Sequence, residues 1–170
     1  MNPVNKKGGY CMIKKIIVVI TTLLILGLVG CSNENNDSIT IDQKYTKVTI
    51  VELDAKDLLS FEYRIINHSK ENVGPFYIKY IFHHKILHEY FGVKEYPSYN
   101  STEPTEVTLI PNETFQGGNN IETLEEHVDI SSLQDAITNT QAIEIQLIDI
   151  ETENIIASQW INKFKHVDET

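Results

Sequence analysis

Three histidines and a glutamate fall together in His83-His84-x-x-x-His88-Glu89, the one local cluster of metal-capable side chains in the chain. On a helix, His84 and His88 would share a face at i, i+4, the spacing that lets two imidazoles hold one zinc ion. The flanking residues alternate with a period of two, however, and the segment also holds Phe82, Ile86 and Leu87. On a strand the two rings would share a face about 13 Å apart, too far for one ion unless the chain bends between them. The expectation is therefore strand-edge histidines facing water, with metal binding at His84 and His88 as the sharper alternative. A second aromatic-rich stretch, Tyr90, Phe91, Tyr96, Pro97 and Tyr99, reads as a loop whose tyrosines could form a recognition surface for a protein or a glycan. The acids Glu122, Glu125, Glu126 and Asp129 lack the Asp-x-Asp spacing and the glycine of a calcium loop and read as a solvated face.

Other chemistry is thin. Gly117-Gly118-Asn119-Asn120 has neither the Lys nor the following helix signal of a phosphate loop. No G-x-S-x-G serine motif is present, and no spaced carboxylate pair stands out. No catalytic residue and no cofactor are expected.

The chain has two cysteines, Cys11 and Cys31. Ile16 to Gly30 is a run of fifteen residues without an ionisable side chain, preceded by Lys14 and Lys15 and followed by the polar run Ser32-Asn33-Glu34-Asn35-Asn36-Asp37. A membrane-spanning helix needs about 20 apolar residues, so this stretch is sized as the core of a signal peptide, with its positive end left in the cytoplasm. Leu28-Val29-Gly30-Cys31 resembles the lipobox of bacterial lipoproteins of the Gram-positive type, over residues 12 to 31. The resemblance implies cleavage between Gly30 and Cys31, a diacylglyceryl group on the Cys31 sulfur, and a protein held at the cell membrane on its extracytoplasmic side. A complete signal peptide already starts at Met12, which makes Met12 an alternative to Met1 as the point of initiation.

With the leader removed, Lys6, Lys7, Lys14 and Lys15 go and no acid does, leaving ten Lys and Arg against 24 acids and a net charge of about −14. Nucleic-acid binding draws on Lys and Arg against phosphate, so it is excluded as a function class. The same charge opposes adsorption to an anionic leaflet and keeps a tethered domain soluble. No thiol remains for a disulfide, thiolate metal site or redox centre.

The elements that must position these residues follow from periodicity. Residues 31–44 read as the lipidated cysteine and a flexible tether, 45–165 as one domain, and 166–170 as a tail. Leu59, Phe61, Tyr63 and Ile65 alternate with Ser60, Glu62 and Arg64, and Phe76, Ile78, Tyr80 and Phe82 with Tyr77, Lys79, Ile81 and His83, each set marking one buried face of an antiparallel strand. Lys47 to Leu53 and Glu106 to Ile110 supply further strands. Ala142 to Ile150 and Ile155 to Phe164 form a hairpin about Glu151-Thr152-Glu153-Asn154, with Trp160 and Phe164 expected in the core. Leu133, Ala136 and Ile137 predict one short helix over about 131–139, with Ser131 and Gln134 in capping-box spacing. The expected fold is mainly β: an immunoglobulin-like antiparallel β-sandwich of about seven strands with one short helix, preceded by the hydrophobic helix of the leader.

Asn67-His68-Ser69, the aromatic strand Phe76 to Phe82 and the turn Pro111-Asn112-Glu113-Thr114-Phe115 together resemble the small β-sandwich domains of Gram-positive lipoproteins such as the FxLYD-type family. That family's Tyr-Asp followed by Gly is replaced by His83-His84-Lys85. The resemblance implies an extracytoplasmic module without known catalysis. The expected function is thus a non-enzymatic, membrane-anchored interaction module for an envelope protein or cell-wall component. A cell-surface metal or small-ligand binder using His84, His88 and nearby acids is the alternative, and an envelope hydrolase a third.

Overall fold

The computed structural model describes residues 38–100, 103–124 and 127–168. The expected signal segment with its helix, Cys31 and most of the expected tether lie outside these residues, as do Glu125 and Glu126 of the acid cluster.

Strands dominate, and they form two packed sheets: the domain is a β-sandwich. In the first sheet β3 (Leu58–Asn67) is central. Its one edge pairs with β9 (Thr114–Glu122), and its other edge is shared end to end by β1 (Ile39–Ile41) and β2 (Lys47–Glu52). In the second sheet β4 (Val73–Phe82) lies between β10 (Ile143–Asp149) and an edge row made of β5 (Glu95–Pro97) and β8 (Val107–Leu109). The hairpin partner β11 (Ile155–Ile161) closes the far side of β10. A small separate ladder joins β6 (Tyr99–Asn100) to β7 (Glu103–Pro104).

The period-two pattern sets which faces meet. Leu59, Phe61, Tyr63 and Ile65 of β3 and Phe76, Ile78, Tyr80 and Phe82 of β4 are all buried, and Ile143, Ile145 and Leu147 of β10 join them in one core. Burying a side chain of this kind is worth about 1.5–3 kcal/mol, so the facing apolar rows are what hold the sheets together. The helix α2 (Ile130–Asn139) carries the chain from β9 in the first sheet to β10 in the second and buries Leu133, Ala136 and Ile137. Its position and apolar stripe match the expectation. Its cap does not: Asp129, rather than the Ser131/Gln134 box, accepts from the amides of Ser131 and Ser132.

Four sequence expectations are corrected. Residues 39–41 are a strand rather than tether, because Ile39 and Ile41 alternate across Thr40 and both are buried against β3. The run from Ile155 does not continue to Phe164. It stops at Ile161, and after Asn162-Lys163 the chain enters the first sheet as β12 (Phe164–Asp168), pairing in parallel with β2. This crossing satisfies the backbone edge of β2 and takes residues 166–168 out of the expected tail. Phe164 packs against the core, whereas Trp160 is only half-buried. Finally, the segment after β4 is a helix, α1 (Lys85–Phe91), rather than strand. Leu87 and Phe91 bury at i, i+4, Lys85 pairs with Glu89 at 2.9 Å, and Gly92 closes the helix at φ 72°.

Candidate functional site

The turn into α1 gives His84 and His88 different jobs. His84 is the N-cap, its Nδ1 accepting from the Ile86 amide at 3.3 Å. His88 lies one turn on, and its Nε2 is 2.6 Å from the Phe82 carbonyl. A carbonyl only accepts, so Nε2 of His88 carries the proton, while Nδ1 of His84 carries none. Each ring therefore has one nitrogen committed, that of His84 to capping α1 and that of His88 to fastening α1 to the end of β4. His83 points elsewhere: its Nε2 is 3.3 Å from Glu144 Oε2, and its ring lies 4.8 Å from Trp160 on the outer face of the second sheet. Gln146 donates to the same Glu144 oxygen at 3.0 Å. Among the described residues no group of three or more His, Cys, Asp or Glu side chains is placed to share a metal ion.

An open cleft of about 440 Å³ between the two helices is lined by His84 and Ile86 on one side and by Ser131, Ser132, Asp135 and Ala136 on the other. These residue types could serve a hydrolase, where a serine hydroxyl must hand its proton to an imidazole. Here both hydroxyls are otherwise engaged. Ser131 Oγ donates to Asp129 Oδ1 at 2.7 Å and Ser132 Oγ to Asp129 Oδ2 at 2.6 Å. Those bonds hold the Asp129 carboxyl down at about 2, and Asp135 accepts from Asn139 at 2.6 Å. The arrangement is a helix cap with an unusually complete set of donors.

The expected aromatic loop is divided. Phe91 is core, with its ring 5.9 Å from that of Phe82. Tyr90 is half-buried and its hydroxyl accepts from the Asp129 amide at 3.2 Å, joining α1 to the start of α2. Tyr96 is a half-buried residue of β5, opposite Tyr80 in the register. Tyr99 lies on β6, and its side chain is outside what is described.

Two buried polar residues organise their surroundings, and neither has a functional role in the sequence reading. Asp57 is fully buried: its Oδ2 accepts from the Val128 amide at 2.9 Å, and its backbone carbonyl accepts from the Thr123 amide at 3.0 Å. His127 Nδ1 lies 3.5 Å from Asp57 Oδ1. Asn67, also fully buried, donates from one amide nitrogen to the carbonyls of Glu71, Leu109 and Ile110 and accepts from Ser69. Asn-x-Ser and an isolated Asp before an apolar run were the only signals in sequence. Desolvation also pushes the Tyr63 hydroxyl up to about 12, against an opposing bond to Ser98, and raises Tyr80 well above the ordinary range.

No family model matches this chain, and no curated protein matches it. Two solved structures of Bacteroides uniformis beta-glucuronidase 2 are similar to it at a TM-score of 0.41 and 11% identity. One is covalently bound to cyclophellitol-6-carboxylate aziridine and the other is a D341A D367A calcium binding mutant. The similarity covers 72% and 75% of this chain but only 12% and 13% of those chains, so the sequence spans about an eighth of their length.

Proposed function

We propose that the chain is a lipoprotein anchored to the cell membrane through a diacylglyceryl group on Cys31, whose β-sandwich acts outside the cytoplasm as a non-enzymatic module for an envelope protein or cell-wall component. The observation that carries this reading is Leu28-Val29-Gly30-Cys31 at the end of an uncharged apolar run. β1 shortens the expected tether. Ile39 is already the first residue of a buried strand, so only eight residue steps separate it from Cys31, a span of at most about 29 Å when fully extended. In the cleft between the helices, Ser131, Ser132 and His84 are engaged in capping, and His88 is bonded to the Phe82 carbonyl.

Two acyl chains of about 16 carbons, at ~0.8 kcal/mol per buried CH₂, give an attachment exceeding about 20 kcal/mol. Cys31→Ser therefore shifts the protein from the membrane fraction to the soluble or unprocessed fractions, and mass spectrometry of the wild-type protein finds Cys31 as an acylated first residue. Unchanged membrane retention of Cys31→Ser, or an unmodified Cys31 thiol in the wild type, overturns the reading.

A further inference from the structure

On the outer face of the first sheet, an open groove of about 570 Å³ lies over the junction of β3 and β9. The register fixes its walls. Gln116 stands beside Arg64, Gly118 beside Glu62, and Asn120 beside Ser60, so the even-numbered side chains of both strands rise from one face while Phe61, Phe115 and Ile121 point inward. Position 118 contributes no side chain, which leaves a gap between the amides of Gln116 and Asn120. The gap is fixed by backbone packing, because a Cβ on Gly118 would fall 2.4 Å from the Phe61 carbonyl oxygen.

Tyr45 closes one end. Its hydroxyl donates to Gln116 Oε1 at 3.3 Å, and the Arg64 guanidinium sits 4.1 Å from its ring centroid while pairing with Asp42 at 3.4 Å. Glu62, beside Gly118 in the register, adds a carboxylate 3.1 Å from Lys47 Nζ. In a chain with a formal charge of −10, this groove is locally balanced. Its walls are two primary amides, a hydroxyl, a phenol and one neutralised carboxylate.

That lining selects a class of ligand. Asn120 offers donors and an acceptor, and Gln116, whose Oε1 already accepts from Tyr45, offers its two N–H groups and a second lone pair, matching groups that also do both. A charged ligand finds no uncompensated partner, and an apolar one would strip water from the amides without replacing their hydrogen bonds. Sugar hydroxyls donate and accept, and the C–H face of a sugar ring can lie on the bare backbone at Gly118 beside the Tyr45 ring. We infer that this groove is a binding site for a neutral saccharide, with Gln116, Asn120 and Glu62 reading its hydroxyls and Tyr45 bounding it. The site rests on the sheet alone and is independent of how the chain is anchored.

The test uses the full-length protein in detergent micelles, titrated by calorimetry with neutral hexasaccharides: β-1,4-linked glucose, β-1,4-linked N-acetylglucosamine and α-1,4-linked glucose. A galacturonate hexamer serves as the anionic probe. Open sheet-face sites bind weakly, so a neutral hexamer should bind with a Kd of roughly 0.1–1 mM, at least tenfold tighter than the anionic one. Gln116→Ala with Asn120→Ala should weaken it at least tenfold with an unchanged unfolding midpoint, and His84→Ala should leave it unaltered. Three results overturn the inference: no neutral hexamer binding below about 10 mM, equal binding of the anionic hexamer, or affinity in the Gln116/Asn120 double variant within about twofold of wild type.

Discussion

The rings of Phe61 and Tyr80 stack with centroids 4.1 Å apart and planes inclined by 27°. Phe61 belongs to β3 and Tyr80 to β4, so this one contact spans the two sheets at the middle of the core. Beyond it the Tyr80 hydroxyl donates to Asn119 Oδ1 of β9 at 3.0 Å, which ties a third strand to the same side chain.

Tyr80→Phe keeps the stack and removes only that bond, leaving Asn119 Oδ1 short of a donor in a partly buried place. The expected loss is about 1–2 kcal/mol, read as a lower urea midpoint at unchanged slope. Tyr80→Ala removes the ring as well and should cost about 3–5 kcal/mol.

Asn67→Ala strips one donor group from three carbonyls at the corner where β3 ends and β9 begins. Leu109 and Ile110 then keep carbonyls without this partner beside a buried site, and destabilisation of about 2–4 kcal/mol is expected. Asn67→Asp, which cannot donate from either oxygen when ionised, should be no better. Chemical denaturation of the two variants checks both.

Asp57→Ala leaves the Val128 amide buried without its acceptor. A loss of about 2–3 kcal/mol is expected, with faster amide exchange at Val128 reporting the local cause. His127→Ala should cost far less, because that ring is mostly exposed and only one of two groups near the carboxylate.

Asp129→Ala removes the acceptor for two amides and two hydroxyls at the start of α2, and the thermal midpoint should fall. The folded Asp129 carboxyl titrates at about 2 against an ordinary 3.8, so its contribution is present above the ordinary value and lost as pH falls toward the folded one. Wild-type stability should therefore decline from about pH 4 to pH 2 more steeply than that of Asp129→Ala. Asp149, lowered by the Thr152 hydroxyl and amide in the β10–β11 turn, adds to the same decline in both proteins. Equal slopes for the two would contradict the assignment.

Much of the fold was legible in the residues. Strict alternation in β3 and β4 fixes which side chains enter the core, because a one-residue slip would turn every apolar group to water. The stripe Leu133, Ala136 and Ile137 likewise places α2. The candidate chemistry was less legible. The period of two that runs up to Phe82 carries His84 and His88 into a strand reading, and the signals that overrule it, Gly92 and the Lys85–Glu89 spacing, act only once the helix exists.

What the sequence determined by itself is local: apolar period, turn residues, acidity and the uncharged apolar run that leads to Cys31. Only the tertiary structure decided the long-range pairings. It paired Phe164–Asp168 in parallel with β2, seated Ile39 and Ile41 against β3, buried Asp57 under Val128, and set Gln116 and Asn120 around a bare Gly118. The physical reason is that backbone ladders and buried polar groups gain their free energy from partners many residues away. Each residue's own type says that it needs a partner, and only the folded chain says which one it has.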